Sequence, residues 1–267
     1  MADVPFTGII VTYNDARYVR QCLERLSFCK ELIAVDLGSE DDSVAIALDC
    51  GARVIEHPWV SVVEKVRGFA ADLANTDWIV FLDPDLMFPE GLETEIRQII
   101  TTRPNVATIG VRYQNYFQGK PVRHGRWGGE NGVYLAVIHR GRVTFNSAVH
   151  RGVRINEGFE SADAGRDNGS TIVHYWADSW EALVAKASRY LTEEGGARFS
   201  KGHRTSWLKA CVSTVRMFWA SYVTRGGILD GKMGYRLSLL AAWYQWKSEQ
   251  SLMEAQTGPR TQESPGE

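Results

Sequence analysis

The chain of 267 residues is as informative in what it lacks as in what it holds. No apolar run reaches the roughly 20 residues of a membrane-spanning helix. The longest candidates, around 206–224 and 235–246, are interrupted by Lys209, Arg216 and Arg236. The start, MADVPFTGII, has no basic region leading into an apolar stretch, so no signal peptide is expected. Four cysteines (Cys22, Cys29, Cys50, Cys211) show no CxxC or metal-finger spacing and read as reduced thiols in small apolar positions. The net charge of −2 gives no bulk electrostatic pull toward nucleic acid. No GxGxxG follows the first apolar run, which excludes the dinucleotide fingerprint of a dehydrogenase. No internal repeat or low-complexity core segment is present.

What remains is an ordinary globular composition, 44% hydrophobic and 23% charged. The first hundred residues alternate short β-branched runs with helical patterns. TGIIVTYN (7–14), ELIAVDLGS, ARVIEH and DWIVFLD read as strands. Between them lie DARYVRQCLERLSFC, SEDDSVAIALDCG and SVVEKVRGFAADLAN, which read as helices. Ser39 and Asp42 stand at capping-box spacing, and Gly51 is a stop signal. Strand–helix alternation with short links predicts a parallel, doubly wound α/β sheet over residues 6–100. From about 105 to 175 the pattern is irregular, with short strands and loops expected. After 175 it is helical, with Ser179 as a cap and Gly195 as a terminator. The last residues, EAQTGPRTQESPGE, predict a disordered tail.

Ligands of such sheets bind beyond the carboxyl ends of the strands. Three polar clusters are expected there: Thr12–Asn14, Asp36–Ser39 and Asp83–Asp85. Two carboxylates at the end of an apolar strand need a cation, a donor network or water. Asp83 and Asp85, two residues apart on an extended segment, can face one side. A hard divalent ion and a plain Asp-Pro turn both account for FLDPD taken alone. Lys65 and Arg67 suit a diphosphate, although a solvated helix face explains either. Asp36 has a comparable alternative as a turn aspartate.

The ordered series VTYN, VDLGSEDDS and FLDPD resembles family 2 glycosyltransferases of the GT-A fold. It is most similar to the branch of lipopolysaccharide core glucosyltransferases, which also carry an I-x-H (here IVHYW, 172–176) and a G-x-L-D-G-x-x-G (here GILDGKMG, 227–234). The resemblance implies a GT-A (Rossmann-like) nucleotide-sugar-binding domain over 1–175. Its donor half would cover about 6–100 and its acceptor half about 101–175. A C-terminal helical region, 176–252, and a tail, 253–267, would follow. It implies an inverting transfer of a sugar, a hexose for preference, from a nucleotide-diphosphate donor such as a UDP-sugar, with Mn²⁺ or Mg²⁺. The expected partners are that donor and a glycolipid, polysaccharide-precursor, lipid-linked saccharide or peptide acceptor.

On this reading Thr12, Tyr13, Asn14, Asp36, Lys65, Arg67 and Asp83 bind the nucleotide sugar, and Asp83 and Asp85 hold the metal. The base must take the acceptor hydroxyl's proton. Glu130 in RWGGENG is the first candidate and Glu157 the second, while His150 reads as a structural hydrogen bonder although a histidine is chemically able to serve, and His174 as structural or phosphate-adjacent. The family's V-H-E is replaced here by AVHRGV, with Arg151 in place of Glu, and its arginine-centred stretch by YLAVIHR. These departures keep open a catalytically weakened nucleotide-sugar-binding or assembly protein. A nucleotidyltransferase is disfavoured because TYNDARY is no phosphate loop. The aromatic and basic residues of 205–224 and 235–247 fit either packing faces or an interfacial platform. The platform would place a cytoplasmic enzyme peripherally on the inner membrane face.

Overall fold

The structure is a computed structural model that describes residues 4–61, 63–129, 132–145, 153–166 and 169–257. Four strands and three helices alternate first: β1 (Phe6–Thr12), α1 (Ala16–Glu24), β2 (Glu31–Asp36), α2 (Ser43–Asp49), β3 (Arg53–Glu56), α3 (Glu64–Asp72) and β4 (Trp78–Leu82). Then come β5 (Leu86–Met87), α4 (Leu92–Thr102), β6 (Val106–Phe117), β7 (Lys120–Pro121), β8 (Gly132–His139), β9 (Val143–Phe145), β10 (Val153–Ile155), β11 (Glu160–Ala164) and β12 (Ile172–Ala177). Three long helices close the chain: α5 (Trp180–Ser200), α6 (Trp207–Trp219) and α7 (Gly231–Thr257).

The main sheet runs in the order β3-β2-β1-β4-β8-β6-β12-β5. β1 pairs in parallel with β2 and β4, and β2 with β3. The parallel expectation for the first hundred residues is met in these four strands. Beyond them the sheet is mixed, because β8 is antiparallel to both β4 and β6. Residues 106–117 form one 12-residue strand where short pieces were expected. Strand order reverses at β1, whose neighbours are β2 and β4. That reversal is the switch point beyond whose carboxyl edge ligands of such sheets bind.

Both faces of the parallel part are covered, which is why its strands read as continuous apolar runs. The period of two sends Ile10, Val80 and Leu82 to a core shared with Val19, Cys22, Leu23 and Ile96. It sends Ile9, Val11, Ile79 and Phe81 to a second core with Val66, Ala70 and Ala71 of α3. Each such buried side chain contributes about 1.5–3 kcal/mol of apolar burial.

The chain divides into two compact units, Met1–Gln114 with Glu130–Tyr175 and Asn115–Gly129 with Trp176–Glu267. Within the second, α5 and α7 are joined by a polar network. Arg198 donates to Ser248 (2.6 Å) and to Glu249 (2.9 Å), and Ser248 donates to Glu194 (2.7 Å). Segment 115–129, expected with the acceptor half, belongs to this unit. Its anchor is Asp230, whose Oδ2 accepts the backbone N–H groups of Arg123 (3.1 Å) and His124 (2.8 Å) and whose Oδ1 lies 2.8 Å from His124 Nδ1.

Three local expectations change. Ser179 caps α5 as expected, accepting from the Ala182 amide at 3.0 Å. Gly195 does not end that helix, which continues to Ser200. A Cβ at Gly195 would lie 2.1 Å from Ser251 Oγ, so the glycine allows α5 and α7 to approach. The capping box before α2 does not form: Asp42 is the N-cap without a side-chain bond, and Ser39 binds elsewhere. Residues 253–257, expected in the disordered tail, are helical, since α7 runs to Thr257, and the rest of that tail lies outside the described residues.

Candidate functional site

Three loops at the carboxyl edge of β1, β2 and β4 build the site, and all belong to the first unit. After β1 the chain turns through Asn14, a non-glycine residue at φ 56°. Asparagine tolerates that left-handed conformation better than most residues. Its backbone N–H donates to Ser39 Oγ (2.9 Å), and its Oδ1 accepts the Glu40 amide (2.8 Å). Next to it the Asp15 amide donates to Ser43 Oγ (2.8 Å), and the Ala16 amide to Asp41 Oδ2 (3.0 Å). The loops after β1 and β2 are therefore clipped together. Burial pushes the Asp41 carboxyl up, but the bonds from Ser43 and Ala16 outweigh it and hold its pKa below the usual range.

Asp36 ends β2 and is 3% exposed. Its Oδ2 accepts from the Gly38 amide (3.0 Å) and the Ser39 amide (3.1 Å), in a turn that Gly38 makes at φ 89°. The turn-aspartate alternative is thus realised. Two backbone donors leave lone pairs unused, because an ionised carboxylate offers about four acceptor positions. Thr12 is buried and donates to Asp15 Oδ2 (3.3 Å), while Tyr13 exposes its ring at the rim.

Asp83 and Asp85 follow β4. The Leu86 amide donates to the Asp83 carbonyl (2.9 Å), closing an Asp-Pro turn. The Tyr175 amide donates to the Asp85 carbonyl (2.9 Å), which ties that turn to β12. Each carboxylate then meets a different basic side chain. Arg67 on α3 lies 3.7 Å from Asp83 Oδ1 and donates to the Tyr134 hydroxyl at 3.1 Å. Burial works against the guanidinium, but Tyr134 and Asp83 outweigh it and raise its pKa. Burial, then Asp83, pushes the Tyr134 hydroxyl well up, so it stays a neutral phenol. His174 on β12 brings Nε2 to 3.3 Å from Asp85 Oδ2. Beneath the turn the Cys22 thiol faces the Asp83 carbonyl at 3.7 Å, and burial, then Asp85 and Asp83, pushes its pKa far up. The floor is neutral and the rim charged.

The structure brings Thr12, Asn14 and Asp36 to adjoining loops, and Arg67 to Asp83. Lys65 is exposed and donates to Ser61 Oγ (3.0 Å). It does not bring Glu157 to the carboxylates. Glu157 lies in an exposed turn after β10, where Asn156 binds the Arg142 carbonyl. Arg142 stacks over Trp78, at the amino end of β4, whereas Asp83 follows its carboxyl end. Glu130, His150 and Arg151 lie outside the described residues. His174, read from sequence as structural or phosphate-adjacent, is a direct partner of Asp85. Tyr134 went unnoticed, since nothing in YLAVIHR marks one tyrosine as facing Arg67.

The paired carboxylates of Asp83 and Asp85 offer the hard oxygen donors that suit Mg²⁺ or Mn²⁺. Asp83 keeps 38% of its side chain exposed, so an approaching ion or phosphate can reach it. Among the described residues no group of three or more His, Cys, Asp or Glu is arranged as a metal cage. Such a set fits an ion completed by substrate oxygens and water.

The family model "Glycosyl transferase family 2" matches residues 7–156. An uncharacterized glycosyltransferase of Rickettsia felis is 26% identical over 93% of this chain and 89% of its own. The lipopolysaccharide core biosynthesis glycosyltransferase LpsC of Rhizobium meliloti is 21% identical over 90% and 89%. Among solved structures, Mycobacterium tuberculosis glucosyl-3-phosphoglycerate synthase with Mn²⁺, UDP and glucosyl-3-phosphoglycerate shows 21% identity and a TM-score of 0.36. That likeness covers 44% of this chain and 46% of the other. With more than half its length matched by the family model and the strand-end acids in place, the chain belongs to glycosyl transferase family 2 and is a glycosyltransferase of the GT-A fold.

Proposed function

We propose that this glycosyltransferase transfers a hexose, with inversion, from a UDP-sugar to a saccharide or lipid-linked acceptor of the cell envelope. Mn²⁺ or Mg²⁺ assists it. The observation that carries the reading is the pair Asp83 and Asp85 at the carboxyl edge of β4, flanked by Arg67 and His174. In the reaction the acceptor hydroxyl attacks the anomeric carbon, the bond to the diphosphate breaks, and a base takes the hydroxyl proton. Glu130 is the proposed base.

Asp83 and Asp85 would hold the ion together with substrate oxygens and water, and the bound ion would neutralise the departing diphosphate, while His174 orients the Asp85 carboxylate. Arg67, fixed by Tyr134 and Asp83, adds a positive charge on the same side. Asp36 has capacity to accept the N3–H of uracil beside its own turn, and Tyr13 can cover the base. The enzyme meets its acceptor on the inner membrane face, as a peripheral protein. Titration calorimetry of UDP with and without Mn²⁺ tests the core of this reading. Mn²⁺ is expected to tighten UDP binding in the native protein and to have no effect in Asp85→Ala. Equal affinity in the two proteins overturns the metal assignment.

A further inference from the structure

Helix α6 is amphipathic in the wrong direction for a soluble protein. Leu208, Val212, Val215 and Trp219 fall at spacings of four, three and four, one stripe of the helix. They are 68%, 60%, 70% and 61% exposed. Ala210 and Ser221, on the other side, are buried. Ser221 Oγ lies 3.0 Å from Ser238 Oγ of α7 and accepts the Arg126 amide at 3.1 Å, and Ser213 lies 3.5 Å from Gln245 of α7. The small and polar side packs inward and the aliphatic side faces out. Leu229, ten residues beyond the helix, is also exposed. Trp207, at the start of the helix, is exposed as well, whereas Phe218, Tyr222 and Tyr235 pack on one another with ring centroids 5.5–6.1 Å apart.

Charge identifies what covers the stripe. Residues 195–248 hold nine Lys or Arg against one acid, Asp230, which is engaged with His124, and of the nine Arg198 is paired with Glu249 just outside. Because the whole chain carries −2, that segment is +8 and the remainder −10. Lys209 and Arg216 are exposed at the border of the apolar stripe. A second copy of the chain seated on this face would set Lys209 and Arg216 against their own copies, which is repulsive. No helix among the described residues is long and apolar enough to cross a membrane. We propose that the exposed face of α6 seats in the headgroup zone of an anionic bilayer. Leu208, Val212, Val215 and Trp219 would enter the acyl boundary while Lys209 and Arg216 remain with the lipid phosphates. The proposal deepens the peripheral-membrane reading above and assigns it to one helix face.

Flotation of the purified full-length protein with phosphatidylglycerol–phosphatidylcholine vesicles, against phosphatidylcholine alone, tests it, with UDP binding measured on the same samples. The native protein is expected to float with the anionic vesicles at low salt and to be released as salt rises. Lys209→Ala and Arg216→Ala should each weaken partitioning about fivefold. Val215→Gln combined with Trp219→Gln should weaken it about tenfold or more, with UDP affinity unchanged. Absence of flotation, or equal flotation by the Val215→Gln/Trp219→Gln protein, overturns the proposal. So does a dimer in light scattering that this variant dissolves without any vesicle binding. Vesicle binding without UDP binding leaves the membrane face standing and removes the donor reading instead.

Discussion

The strands of the first unit and helix α6 of the second sort their side chains by opposite rules. In the first, β1 and β4 bury every residue, and the acids collect where the strands leave the sheet. In the second, α6 buries Ala210 and exposes leucine, valine and tryptophan around it. Burial in the first unit is driven by water exclusion from two sheet faces. The outward stripe of α6 gains nothing from folding. Its apolar surface is therefore available to something other than the core. The contrast separates residues kept for stability from residues kept for encounters.

The contrast breaks most sharply on a pair of truncations. Ile9→Ala in β1 should cost about 2–5 kcal/mol in urea unfolding, because it opens a cavity in a closed core. Val212→Ala on α6 should stay within about 0.5 kcal/mol. A comparable loss at both positions would mean that α6 is packed rather than presented.

Asp230→Ala removes the acceptor for two backbone amides and the partner of His124. Hydrogen bonds to charged groups are worth about 1.5–3 kcal/mol each. A loss at least that large is expected, together with faster amide exchange at Arg123 and His124. Unchanged exchange would show that segment 115–129 is held by other contacts.

Asp36→Asn should weaken UDP binding about tenfold, a loss of about 1.4 kcal/mol. It should disturb stability less, since an amide oxygen can still accept from Gly38 and Ser39. Wild-type UDP affinity with undiminished rejection of ADP would assign base recognition to another residue.

The smallest expected effect concerns pH. Burial, then Arg142, holds the His139 pKa below its usual value of 6.5, and its Nδ1 is buried without a hydrogen-bond partner. The unfolded chain then takes up a proton that the folded chain refuses. This contribution to stability is present above the ordinary histidine value and is lost as pH falls through it toward the depressed one. His139→Phe, keeping the edge contact with Trp78, should narrow the difference in stability between neutral pH and about pH 5, two sides of the ordinary histidine value of about 6.5. An unaltered pH dependence would exclude His139 as a contributor.

The sequence alone determined β1 to β4, the helices between them and the position of Asp36, Asp83 and Asp85 at strand ends. Those features rest on local periodicity and on glycine, asparagine and proline signals only a few residues apart. Tertiary structure decided the partners. Arg67 meets Asp83 and Tyr134, His174 meets Asp85, and Asp230 meets His124 from 106 positions away. It also decided that Gly195 serves a helix crossing and that α6 turns its apolar stripe outward. A helical period shows that a stripe exists, but the surface left after every other element has packed decides which way it faces. Ion pairs likewise depend on where distant segments end in space, and no local pattern in the chain encodes that.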